Sequence, residues 1–90
     1  MKVTITRTFE LLNLRKKGNE RTAWDVAEGY GFKHVQALDI ENRQEIQWQG
    51  VEFNRLYALD DELWRFNEWY GVYPFDGIVL ERIGTIEEDV

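Results

Sequence analysis

Tyr57, Asp61, Trp64 and Glu68 recur at spacings of four, three and four, so rings alternate with carboxylates. That mixture suits recognition of a basic surface: the rings supply contact area and the acids steer the encounter. A Trp face can also stack on an incoming guanidinium. Glu62 and Trp69 flank the set, and the candidate partner-binding residues are therefore Tyr57, Asp61, Glu62, Trp64, Glu68 and Trp69. Covalent catalysis lacks its reagents, because the chain has no Ser and no Cys and His34 is its only histidine. Without Cys there is no disulfide and no thiolate zinc site. Asp60, Asp61 and Glu62 lack the ligand spacing of a calcium loop, and at a helix start such a run complements the dipole. "GYGF" has neither the Walker nor the Rossmann spacing of a phosphate cradle. No catalytic residue, metal or cofactor is expected.

The element that must carry the candidate site spans residues 53–70. Leu56, Leu59, Leu63, Phe66 and Tyr70 repeat at three and four, the stripe of a core-facing helix, and Gly71 is a natural stop. On that helix the ring–carboxylate set forms a second stripe roughly 140–180° away, facing water. Trp69 falls on the opposite flank beside Glu62 and Arg65. The competing structural role is that Tyr57 and Trp64 fold over the flank of the core. Asp61–Arg65 and Arg65–Glu68 are then surface ion pairs contributing about 0–1 kcal/mol each.

Around this helix, "VTITRTFEL" (3–11) alternates as a half-buried strand, and "LRKKGNER" is a basic turn. Thr22 is an N-cap with Asp25 in a capping box, Ala23, Val26, Ala27 and Tyr30 form a short stripe, and Gly29 and Gly31 end it. "VQALDIENRQEIQWQG" reads as a hairpin whose loop, 42–44, pairs Ile40 with Ile46 and Leu38 with Trp48 on one apolar face. "YPFDG" is a turn, 77–83 a final strand, and 84–90 a loose acidic tail. The order β-α-β-β-α-β makes one α+β domain over 1–83, an antiparallel sheet with two helices on one face, and ferredoxin-like is the leading topology.

A chain of 90 residues is one domain able to bury a modest core. Its net charge of −6 is uneven: residues 1–45 carry eight Lys/Arg against seven Asp/Glu, and 46–90 carry three against ten. An acidic half repels phosphates and attracts basic protein surfaces. The start "MKVTITRTFELL" alternates like a strand and is no signal-peptide core, so a cytoplasmic protein is expected.

"WQGVEFNR" (48–55) resembles part of the acylphosphatase loop Gln-Gly-Val-x-Phe-Arg. Asn54 stands where that family has its phosphate-holding Arg, and Arg55 comes one residue later. The RNA-recognition motif shares the element order, but "EIQWQG" offers its third strand one ring and no cation, so no direct nucleic-acid binding is expected. In general character, small, acidic, cysteine-free and without a catalytic set, the chain resembles anti-CRISPR proteins and other phage-encoded inhibitors. That resemblance implies a non-catalytic protein, in the host cytoplasm, that blocks a basic, nucleic-acid-binding surface of a protein partner. It further implies phosphate imitation by Glu52, Asp60, Asp61, Glu62, Glu68, Asp76 and Glu81, with Arg55 and Arg65 interrupting the array. The alternatives are a small carboxylate-dependent enzyme or enzyme subunit using Asp61 or Asp76, and a homodimer that buries the aromatic residues against itself.

Overall fold

The computed structural model describes residues 2–6, 9–35 and 55–87. The expected hairpin of 35–50, the "WQGVEFNR" loop up to Asn54, Glu52 and residues 88–90 lie outside them. The described chain is a small α+β domain of mostly antiparallel strands with one helix: β1 (Lys2–Ile5), β2 (Leu11–Arg15), α1 (Ala23–Gly29), β3 (Lys33–His34), β4 (Leu56–Leu59), β5 (Glu62–Tyr70) and β6 (Gly77–Glu87). Among the described residues no helix is long and apolar enough to cross a membrane.

Residues 56–70 are two strands and a turn, which corrects the helix expected over 53–70. Leu59 pairs with Glu62, so Asp60 and Asp61 form the hairpin turn, with Asp60 in the left-handed region at φ 53°. Asp tolerates that region because its short polar side chain bonds locally. The helical period is a coincidence of β4 and the start of β5, which are buried on both faces, whereas Tyr70 at the end of β5 is exposed. Leu56 and Leu63 pack on one side of the sheet, while Phe66 and Leu59 pack against the cluster on the other. A strand covered on both faces loses the alternation that would identify it. With this helix gone, the two-helix ferredoxin-like arrangement has no second helix among the described residues.

The capping box of α1 forms as expected: Asp25 N–H donates to Thr22 Oγ1 at 3.1 Å, and Thr22 N–H donates to Asp25 Oδ2 at 3.3 Å. Val26 and Ala27 are buried against the sheet, with Ala23 and Tyr30 at the margin. The expected single strand 3–11 is instead two strands that lie end to end along one side of β6. Thr6 N–H bonds the Ile83 carbonyl at 2.9 Å and Arg82 N–H bonds the Glu10 carbonyl at 3.0 Å. The β1–β2 side thus carries three more residues than β6 does between those two bonds. β6 itself runs through Glu87, so residues 84–87 belong to the sheet and not to a loose tail.

Strand order is β1-β6-β5-β4-β3, with β2 also on β6, which makes β6 the centre of the sheet. One face, over Leu14, Ile78, Leu80, Tyr57 and Trp64, is covered by α1 and Phe32. The other collects Val3, Val35, Leu56, Ala58, Leu63, Ile83 and Ile86. Val3 and Val35 come from opposite edges, so the sheet curls around this second cluster. Gly77 and Gly84 let neighbouring backbone come close: a Cβ there would collide with the carbonyls of Leu14 and Thr4 respectively.

Candidate partner-binding site

β5 separates the residues that the sequence grouped on one helix face. It starts at Glu62 beside the Asp60–Asp61 turn and ends at Tyr70, and at ~3.3 Å per residue its two ends lie about 25 Å apart. Asp61 and Glu62 stand at one end and Trp69 at the other. Tyr57 and Trp64 are directly opposite one another on β4 and β5 and are each 3 % exposed. Both are core residues beneath α1, which removes them from any partner surface and dissolves the expected water-facing stripe.

Their surroundings explain the burial. Trp24 of α1 stacks on Tyr57 at 5.6 Å between ring centroids, inclined by 25°, and the His34 ring closes the group at 5.5 Å from Trp24 and 5.8 Å from Tyr57. Burial pushes the Tyr57 phenol up from its usual value, and the Arg55 charge partly opposes that shift. The Trp64 indole N–H donates to Glu62 Oε2 at 3.2 Å, which satisfies the polar edge of a buried ring. Glu62 is therefore half-buried and engaged. Its other carboxylate oxygen lies 3.9 Å from Arg82 Nε, and Arg82 also reaches Glu10 at 3.8 Å. The expected pairs of Arg65 with Asp61 and Glu68 do not form, because Arg65 bonds Glu81 across the β5–β6 ladder at 2.7 Å.

Three carboxylates remain exposed at this end of the sheet, where Lys33 of β3 is exposed as well. Ile86 N–H donates to the Asp61 carbonyl at 2.6 Å, pinning the β4–β5 turn to the end of β6. Asp60, Asp61 and Glu87 are exposed there, with Lys2 opposite Glu87 in the β1–β6 register. The larger phosphate-like array does not assemble: Glu81 is tied to Arg65, Glu68 lies along the open face, and Asp76 sits at the far end before β6.

The far end is aromatic and cationic. Trp69 stacks on Phe75 at 5.1 Å and 18°, with Tyr73 edge-on to Phe75 at 5.9 Å. Together with Pro74 these rings face Lys16, Asn19, Glu20 and Arg21 across an open groove of about 520 Å³. Glu20 Oε2 accepts from the N–H groups of Lys17 and Gly18 at 2.8 and 2.9 Å, so that carboxylate clamps its own loop. Lys17 stands over the Tyr30 ring at 4.0 Å. The rings of this groove come from residues 69–75 and its cations from the basic turn "LRKKGNER" (14–21). Only the antiparallel pairing of β2 with the start of β6 brings them together.

Among the described residues no group of three His, Asp or Glu side chains is placed to hold a metal ion. Comparison of the chain with protein-family models, with curated proteins and with solved structures gives no match.

Proposed function

We propose that this is a binding protein without catalytic activity, whose acidic end occupies a basic, nucleic-acid-binding surface on a protein partner, as the anti-CRISPR-type inhibitors do. The observation that supports this reading is the exposure of Asp60, Asp61 and Glu87 together at one end of the sheet. Charges so placed attract an incoming cationic surface and raise its encounter rate. The test measures release of labelled duplex DNA from a panel of purified RNA-guided nucleases. Wild type should release it from at least one member. A variant combining Asp60→Asn, Asp61→Lys and Glu87→Lys should not, whereas Glu68→Lys, on the open face, should behave as wild type. Release by the triple variant at wild-type concentration defeats the assignment, and no release by wild type from any member defeats the function.

The groove favours a second reading for the opposite end. Stacked rings beside two cations suit a flat anionic compound, the ring taking the aromatic wall and the charge meeting Lys16 and Arg21. Titration with a nucleoside monophosphate should quench Trp69 fluorescence, and a Trp69→Phe variant should lose that quench. An unchanged signal from wild type removes this reading.

A further inference from the structure

Among the described residues the outer edge of β2 has no strand beside it. Lys16 N–H bonds the Asp76 carbonyl at 2.6 Å and Arg82 N–H bonds the Glu10 carbonyl, so residues 10, 12, 14 and 16 turn their backbone groups toward β6. With a period of two, Leu11, Asn13 and Arg15 turn theirs outward, and among the described residues nothing pairs with them. Two large apolar side chains stand along the same edge in water: Phe9 is 96 % exposed and Leu11 is 55 % exposed. An open edge with exposed apolar residues is a template for another strand, and sheets ordinarily blunt such edges with charge, proline or a bulge. "LLNLR" has none of these at its centre.

We propose that this edge pairs with the same edge of a second copy, antiparallel about Asn13. The register centred on Asn13 joins all three outward residues of β2 in both copies: Asn13 meets the partner's Asn13, and Leu11 meets the partner's Arg15. Each such pairing exchanges two N–H···O=C bonds. In this register Leu12 faces the partner's Leu14, so the apolar layer beneath α1 continues from one sheet into the other. Leu11 arrives beside the partner's Arg15, whose guanidinium already lies 5.9 Å from the Tyr70 ring. Glu10 falls opposite the partner's Lys16, on the helix side, so opposite charges meet at both ends of the seam. The two-fold axis makes every favourable pair occur twice, as an isologous contact requires. A strand from a different protein would need its own match to this pattern of Glu, three Leu, Arg and Lys, whereas the strand already matches itself.

The full chain should sediment as a dimer that dissociates on dilution. Asn13→Pro removes an outward N–H and no bond to β6, so it should give a monomer with unchanged circular dichroism and melting. Glu10→Lys and Lys16→Glu place like charges opposite each other in their own homodimers, and each alone should be shifted to monomer. Mixed together they restore two complementary pairs and should form a heterodimer. Wild type that stays monomeric up to millimolar concentration overturns the proposal and leaves the edge to a heterologous strand. A dimer that survives Asn13→Pro, or a mixture no more associated than its components, overturns the register.

Discussion

At the scale of single residues, Trp64 and Tyr57 decide how the aromatic content is to be understood. Their rings belong to the core, so their loss should act on stability. Trp64→Ala removes a ring that is 3 % exposed and should cost about 3–5 kcal/mol in urea unfolding. That is a large share of the ~5–15 kcal/mol that holds a typical domain. Trp69→Ala, at the half-buried rim of the groove, should cost clearly less. Tyr57 gives a pH signature. Its phenol is raised by burial, so the unfolded chain ionises first as pH climbs. The stabilisation is whole below about pH 10, where an unfolded tyrosine titrates, and is lost as pH rises from there through the folded value. Tyr57→Phe should flatten the fall in melting temperature above pH 10, and an equal fall in both proteins would contradict the assignment. His34 joins this group because β3 pairs with β4, and Trp24 because α1 packs over that face of the sheet, contacts between residues too far apart in sequence for periodicity to reveal.

At the scale of elements, the β4–β5 hairpin turns on Asp60. A β-branched residue cannot take its φ of 53° cheaply, so Asp60→Val should cost about 1–2 kcal/mol while Asp60→Gly should be close to neutral in thermal melts. Gly84→Ala tests the pairing of β1 with β6. Its Cβ would strike the Thr4 carbonyl, so amide exchange should rise along β1 before it rises in β2. The α1 helix was legible because capping is local chemistry written within four residues. β6 was legible as far as 83, where Gly84 interrupts its apolar run. The hairpin was not, because Leu56, Leu59, Leu63, Phe66 and Tyr70 imitate a helical stripe when β4 and the start of β5 are buried on both faces. "LDDEL" held the one local clue, paired turn-formers between apolar runs. Of the six candidate site residues, Asp61 remains at the exposed acidic end and Trp69 lines a groove that only tertiary pairing creates.

At the scale of the whole molecule, Asp60, Asp61 and Glu87 share one end of the sheet with Lys33, and Arg15, Lys16 and Arg21 share the other with Glu20 and Asp76. Exposed charges are screened beyond roughly 8 Å at physiological salt. Added salt should therefore slow association with a basic partner far more than it speeds dissociation, as stopped-flow mixing would report. Equal effects on both rates would place the acidic end within a desolvated contact instead of at its rim.

The central place of β6 also sets the order in which the chain can be assembled. Val3 pairs with Ile86 and Leu11 with Glu81, so β1 and β2, the earliest of the described strands, find no sheet neighbour among the described residues until β6, the latest of them, has been made. Such long loops must close before any of these contacts form, which slows folding. The nascent chain meanwhile offers Leu11, Leu12 and Leu14 to whatever holds unfinished proteins. A chaperone that captures stalled translation products should therefore retain this chain until Gly77–Glu87 has emerged, and release it abruptly thereafter.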